Sequence, residues 1–291
     1  MKYILLLTLG FFSLSASQAF ITTGELKKNF NEKNLILIDI AEYSIYEKSH
    51  IKGAIHSDIS KFIEKESKKN KLISNKLIQE EIEDLGINTN SKVVIYSHNK
   101  AEGILNASYL AFILVYSGFE NVSILDGGYL SWVFENELFI SSLPEDDIQE
   151  GNFTISIQEH LISDAISIQN NLNSLAIIDA RSPELYYGIK RSKNTTRAGH
   201  IKYAKSAFYN YNFLTDTTLR EKNELDMIYI DGHKLKKDDE IVVYSDSIFS
   251  ASMQWYILYK EMGFKNTKIY YNSIGEWAKD TNLSMRRFKW E

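Results

Sequence analysis

Residues 175–190 read L-A-I-I-D-A-R-S-P-E-L-Y-Y-G-I-K, and R-A-G-H-I-K-Y-A follows from Arg197. A short apolar run ends on an acid, turns through small residues and opens a helix-like segment at Pro183. The same order occurs earlier in the chain. Residues 35–55 read L-I-L-I-D-I-A-E-Y-S-I-Y-E-K-S-H-I-K-G-A-I. Asp39 matches Asp179 and His50 matches His200, with extra residues inserted in the second copy. Further on, K-V-V-I-Y-S-H at Lys92 matches E-I-V-V-Y-S-D at Glu240. Gly118, Phe119 and Trp132 match Gly263, Phe264 and Trp277. Order and spacing hold across most of the chain, so duplication of one domain is the reading.

Each copy alternates strand and helix signals. Residues 35–38, 93–96, 122–125, 176–178, 241–244 and 267–270 are short apolar runs rich in β-branched side chains. Continuous apolarity, rather than strict alternation, predicts strands buried on both faces of a parallel sheet. Helices are predicted over 105–116 and 253–262, ending at Gly118 and Gly263 where left-handed caps are used. The acidic, Pro-containing stretch around 141–151 reads as the linker. The expected division is a first domain over 20–142, a linker over 143–152 and a second domain over 153–291.

The totals exclude several classes. A net charge of −5 over 291 residues argues against nucleic acid as the partner, since phosphate binding needs clustered Lys and Arg. The run K-E-S-K-K-N-K at 65–71 reads as a solvated face. There is no cysteine, which removes disulfides, thiolate metal ligands and thiol nucleophiles. The six histidines show no metal-binding spacing, and no cofactor or metal is expected. The N-terminus, M-K-Y-I-L-L-L-T-L-G-F-F-S-L-S-A-S-Q-A-F, reads as a signal peptide over 1–19. Ser17 and Ala19 are the small residues, and cleavage is expected after Ala19. The expectation is an exported protein, periplasmic or secreted, with no membrane association after cleavage.

At D-A-R-S-P-E, G-H-I, H-I-K-G-A-I, L-D-G-G-Y-L-S-W and N-S-I-G-E-W the chain resembles a tandem rhodanese, the thiosulfate and 3-mercaptopyruvate sulfurtransferase family. The resemblance implies an α/β fold of two tandem rhodanese-like domains, each a central parallel β-sheet flanked by helices. It also implies a non-catalytic first domain and an active-site loop after the strand at 241–244. In that family the loop opens with a cysteine, which attacks a donor's outer sulfur and holds it as a persulfide. Here the position is Ser245. A hydroxyl is far more basic than a thiol, and oxygen cannot carry a persulfide. Asp246 follows where a basic or small residue is usual, and Ile248 stands where the family has glycine. The first copy offers Ser97-His98-Asn99-Lys100, also without a thiol.

The expected site is therefore a degenerate loop over 245–250: Ser245, Asp246, Ser247, Ile248, Phe249 and Ser250. Arg181 and Arg197 match arginines that bind the donor's anionic group in the family. For Arg181 a structural pairing inside the D-A-R turn is the favoured alternative. Asp39 and Asp179 read as turn caps, His50 and His200 as turn anchors, and Trp132 and Trp277 as core anchors. The tyrosines, Tyr209 and Tyr271 among them, read either as lining between the domains or as scattered surface residues. The function expected is binding of a small oxyanion or sulfur compound, or of a partner protein, by a chain that has lost its nucleophile. An active sulfurtransferase is what the resemblance alone implies. A Ser245-dependent hydrolase is disfavoured, because G-x-S-x-G is absent.

Overall fold

The apolar runs become strands because neighbours cover both their faces. In the computed structural model, which describes residues 18–64, 72–98, 102–136, 139–144, 148–215 and 218–291, Leu35–Asp39 lies parallel between Lys92–Tyr96 and Ala54–His56. Lys92–Tyr96 pairs with Val122–Leu125, which pairs with Phe20–Ile21. The second sheet repeats the order: Ile162–Ser163, Thr267–Tyr270, Ile241–Tyr244, Ala176–Asp179 and Lys205–Ser206, all parallel. Each domain is thus a five-stranded parallel sheet flanked by helices. The strands at 122–125, 241–244 and 267–270 end where the sequence indicates, and the others run one residue further, to Asp39, Lys92 and Asp179. The duplication extends to a small antiparallel pair in each domain, His50–Ile51 with Ile140–Ser141 and His200–Ile201 with Met285–Arg286.

The helix Glu102–Tyr116 is buried continuously from Ala107 onward. This explains why its sequence carries no polar stripe. It packs against Ile248–Tyr256 of the second domain. Phe112 meets Trp255 edge-on at 5.1 Å between ring centres, and Tyr109 meets Phe249 in the same way at 5.1 Å. Tyr271 belongs to this seam, with its hydroxyl 2.7 Å from that of Tyr109. One apolar cluster consequently runs through both domains. Each fully buried aromatic contributes about 1.5–3 kcal/mol to it. The second helix is wider than expected at its end, continuing as a π-helical turn over Ile257–Glu261. Gly118 and Gly263 then take left-handed φ values of +90° and +72°.

Two expected boundaries shift. Phe153 N donates to Ile87 O, Ser156 N to Ser117 O and Gln158 N to Tyr116 O, so this stretch lies along the first domain. Phe153 also packs edge-on against Phe119. The second sheet begins only at Ile162. At the other end, Ala19 and Phe20 are 2% and 4% exposed. Ala19 O accepts from Ile124 N at 2.8 Å and from Tyr256 Oη at 2.9 Å, and Gln18 O accepts from Ser123 Oγ. Cutting after Ala19, as the sequence suggested, would bury a new ammonium at Phe20 and remove an acceptor from the interior. Gln18 and Ala19 therefore belong to the folded domain. The rest of the expected signal peptide and the basic run at 65–71 lie outside the described residues. Among the described residues no helix is long and apolar enough to cross a membrane.

Candidate functional site

Three residues connect the strand Ile241–Tyr244 to the helix that starts at Ile248. Ser247 caps that helix, its Oγ accepting from Phe249 N at 3.3 Å. No residue from 245 to 250 takes a positive φ, so the chain turns without the left-handed step that a glycine at 248 would permit. Ile248 instead turns inward and is buried. Ser245 is 1% exposed. Its Oγ accepts from Ser250 Oγ at 2.8 Å and lies 3.5 Å from Asp246 Oδ1, and its carbonyl accepts from Ile274 N. No histidine or lysine is hydrogen-bonded to that hydroxyl among the described residues, so nothing there is arranged to deprotonate it.

Asp246 does not point idly at solvent. Its Oδ2 accepts from Ser192 Oγ at 2.7 Å, which ties the loop to the segment inserted between the two halves of the repeat motif. Between that insertion and residues 272–280 lies a cavity of about 780 Å³. Arg191, Lys193 and Lys279 line it together with Asp246, Glu276 and Asp280. The acids are held by neighbours: Tyr270 Oη and Asn272 Nδ2 donate to Glu276, and Asn282 N to Asp280. Lys193 and Lys279 form no ion pair among the described residues. Sequence reading missed these cations, since they sit in an insertion and in the turn after the short helix Ser273–Trp277, where no period gives a signal.

The two arginines taken from the resemblance lie elsewhere. Arg181 is 3% exposed and grips Asp179 with Nε at 2.9 Å and Nη2 at 2.6 Å, while Nη2 also reaches Gly199 O. Burial opposes its charge, but the Asp179 carboxylate reverses the balance and holds the guanidinium protonated. Arg197 donates to the carbonyls of Trp277, Ala278, Asp280 and Leu283. It fastens the segment after Trp277 and presents no fork to the cavity. The structure therefore joins Ser245 to Ser250 in one network and leaves Arg181 and Arg197 outside it.

The repeat explains the supporting residues. Asp39 Oδ1 and Asp179 Oδ1 accept from Ala41 N and Arg181 N, closing matched turns. His50 and His200 stack on Tyr46 and Tyr186 and contact the carbonyls of those residues. Burial lowers the affinity of His200 for a proton. Trp132 and Trp277 are fully buried. Gly128 (φ +61°) matches Ser273 (φ +64°), and Tyr129 N and Ile274 N donate to Ser97 O and Ser245 O respectively, each at 3.1 Å. A serine held in this region stores about 1–2 kcal/mol of strain. In the first domain Ala41 stands where Arg181 would, and the buried Asp39 is met instead by His98 Nε2 at 2.8 Å. The sequence held that signal: a lost arginine at 41 and a gained histidine at 98.

The Rhodanese-like domain model matches residues 22–135 and 163–280. The chain belongs to the rhodanese-like family. It is 24% identical to the sulfur carrier protein TtuD of Thermus thermophilus, over 90% of this chain and 94% of that protein. It is 27% identical to a putative thiosulfate sulfurtransferase of Haloferax volcanii, over 84% and 85%. Among solved structures, the 3-mercaptopyruvate sulfurtransferase SseA of Escherichia coli superposes with a TM-score of 0.75 at 21% identity, covering 88% of this chain and 99% of that one. A cysteine-to-serine variant of EanB, solved with hercynine, superposes at 0.74 with 22% identity over 88% and 64%. These structural likenesses establish the rhodanese-like fold twice over.

Proposed function

We propose that this is an exported rhodanese-like protein that transfers no sulfur and acts by holding a small anion in the second-domain cavity. The observation that carries this reading is Ser245. It stands where the resemblance places the attacking cysteine, and the chain has no other thiol to take over. Sulfur transfer needs a sulfur that can hold the sulfane atom, and Ser245 supplies only oxygen. Binding does not need the thiol. The EanB variant just described lacks its cysteine and still holds hercynine. In this chain Arg191, Lys193 and Lys279 supply the charge for an anion, in the place of Arg181 and Arg197.

The test pairs two readouts on one sample. Thiosulfate, sulfite, sulfate and 3-mercaptopyruvate are added in turn, and melting temperature and intact mass are measured. At least one compound is expected to raise the melting temperature, because a ligand of the folded state stabilises it by mass action. Arg191→Gln with Lys279→Gln is expected to abolish that rise. No sample is expected to gain a sulfur-sized adduct that cyanide removes. Such an adduct would end the inactive reading, and a flat panel would end the anion reading.

Export makes a separate prediction. Ser15 and Ser17 are small residues at the spacing that signal peptidase accepts. Cleavage after Ser17 preserves both carbonyls that the fold uses. The mass of protein recovered from an exporting host is expected to begin at Gln18. A mature chain beginning at Phe20 would contradict the role given to Ala19, and an uncut chain would contradict export.

A further inference from the structure

The strand Met285–Arg286 and the residues after it lie against the helix Pro183–Tyr187, and beyond both elements large apolar side chains are exposed among cations. We propose that this face docks on an anionic membrane surface, with aromatic rings in the headgroup layer and cations on lipid phosphates. Phe288 N donates to Tyr187 O at 2.9 Å, and Arg287 Nε to Gly188 O at 3.0 Å. Tyr187 packs against Phe288 at 5.9 Å and against Trp290 at 5.5 Å between ring centres, which holds the three rings together. Phe288 and Trp290 are each 55% exposed, and Ile189, beside the left-handed Gly188 that ends the helix, is 66% exposed. Single exposed apolar residues are ordinary, but a cluster of them marks an interaction surface. The backbone of Phe288 is a second observation. Its φ is +57°, a region that a bulky residue adopts only where its surroundings hold it. The bond to Tyr187 fixes that turn, yet the ring it carries stays largely in water, so burial within the fold does not offset the strain.

Charge selects the occupant. The whole chain is net −5, but Lys190, Arg286, Arg287 and Lys289 are all exposed here. Their acidic neighbours on the same two segments are Glu184 and Glu291. The Glu291 side chain is 10% exposed and turns in between Lys289, His200 and Arg286, at 3.4, 3.9 and 4.0 Å. Arg287 forms no ion pair among the described residues and lies over the Phe288 ring at 4.2 Å. A basic rim around exposed Trp, Phe and Ile matches the interface of an anionic bilayer, where aromatic rings sit at headgroup level and Lys and Arg meet anionic lipids. A second copy of the chain fits worse, since a twofold contact would set these cations against one another. Interfacial docking needs no spanning helix, and it departs from the sequence expectation of no membrane association. It is also independent of the anion reading, because Arg287, Phe288 and Trp290 do not line that cavity.

The probes are vesicles of equal parts phosphatidylglycerol and phosphatidylcholine, with phosphatidylcholine alone as the neutral counterpart. Protein recovered from the exporting host is expected to cosediment with the anionic vesicles alone, and less so as salt is raised. Trp132, Trp255 and Trp277 are already fully buried, so a blue shift of tryptophan emission on binding reports Trp290. Phe288→Ala with Trp290→Ala, and separately Arg287→Gln with Lys289→Gln, are each expected to weaken binding by about tenfold or more. All variants share the parent's N-terminus, so an uncut leader would contribute equally to each. Lys68→Gln with Lys69→Gln, in the basic run at 65–71, is expected to change nothing. Any melting shift that oxyanions produce in the parent is expected in both patch variants, which keeps failure here distinct from failure of the anion reading. Equal binding to neutral vesicles, no binding, or full retention in either patch variant would each overturn the assignment. So would a poly-glutamate peptide that binds as tightly and with the same dependence on Phe288 and Trp290, which would give the face to an acidic protein segment. The substituted side chains are exposed, and the melting temperature of each variant checks that it remains folded.

Discussion

Arg181→Ala is expected to destabilise the protein by about 3–5 kcal/mol, the usual cost of removing one partner from a buried ion pair. In melting temperature that is on the order of 10 °C for a chain of this size. The reason is the carboxylate left behind. Asp179 is fully buried at the end of the strand that carries the turn. Arg181 gives it two side-chain hydrogen bonds, and Tyr244 Oη supplies another at 2.6 Å. Without the guanidinium, an ionised carboxylate stays in the interior with one side-chain donor, the tyrosine hydroxyl, and the Gly199 carbonyl loses its donor. Asp179→Asn in the same chain is expected to recover part of the loss, because the unpaired charge goes with it. The comparison separates the two roles that the sequence left open for Arg181. A structural residue costs stability and leaves anion binding at the second-domain cavity intact at temperatures where the variant is folded. If Arg181→Ala melts like the parent but no longer binds the anion, the residue is a ligand contact and the structural account is wrong.

Much of this architecture was legible because it repeats. Asp39 and Asp179, His50 and His200, and Trp132 and Trp277 take matching places, and their roles as caps, turn anchors and core residues are local enough to read from spacing. The apolar runs gave the strands to within a residue, since burial on both faces leaves a continuous signature. What lay beyond the sequence depends on closure over long separations. Nothing near Ser192 announces a bond to Asp246, and nothing near Arg197 announces the carbonyls after Trp277. These contacts lie in irregular chain, where no period constrains the partner. The shared core was hidden for a different reason. The helices were predicted over 105–116 and 253–262, but their sequences do not say what they pack against, and here the helices at 102–116 and 248–256 cover each other. Ala19 looked like a leader residue because small residues suit a peptidase; they also suit a tightly packed edge of a sheet.

Ser245→Cys alone is expected to give a poor sulfur acceptor, although it restores the missing element. An ordinary thiol near pKa 8.5 is about 3% thiolate at pH 7, and each unit of upward shift removes roughly a factor of ten. Two features of the loop push upward. The position is 1% exposed, so a thiolate there loses hydration, and the Asp246 carboxylate stands 3.5 Å from the side-chain oxygen that the sulfur would replace. A third feature removes a compensating donor: Phe249 N at the start of the helix is already bonded to Ser247 Oγ. The thiol is expected to react with a disulfide reagent slowly at pH 7 and much faster above pH 9. Adding Asp246→Arg and Ile248→Gly addresses the charge and the backbone together, and is expected to speed the reaction at pH 7 by at least about tenfold, one pKa unit's worth of thiolate. Ile248 is buried, so its loss costs roughly 2–5 kcal/mol as a cavity, and the triple variant must be assayed below its own melting point. If Ser245→Cys by itself takes sulfur from thiosulfate as fast as the triple variant, the surrounding loop is still competent and serine is the only element lost. If instead the single variant is slow and the triple fast, charge and backbone at 246 and 248 have diverged along with the nucleophile, as expected of a loop reshaped for holding a ligand.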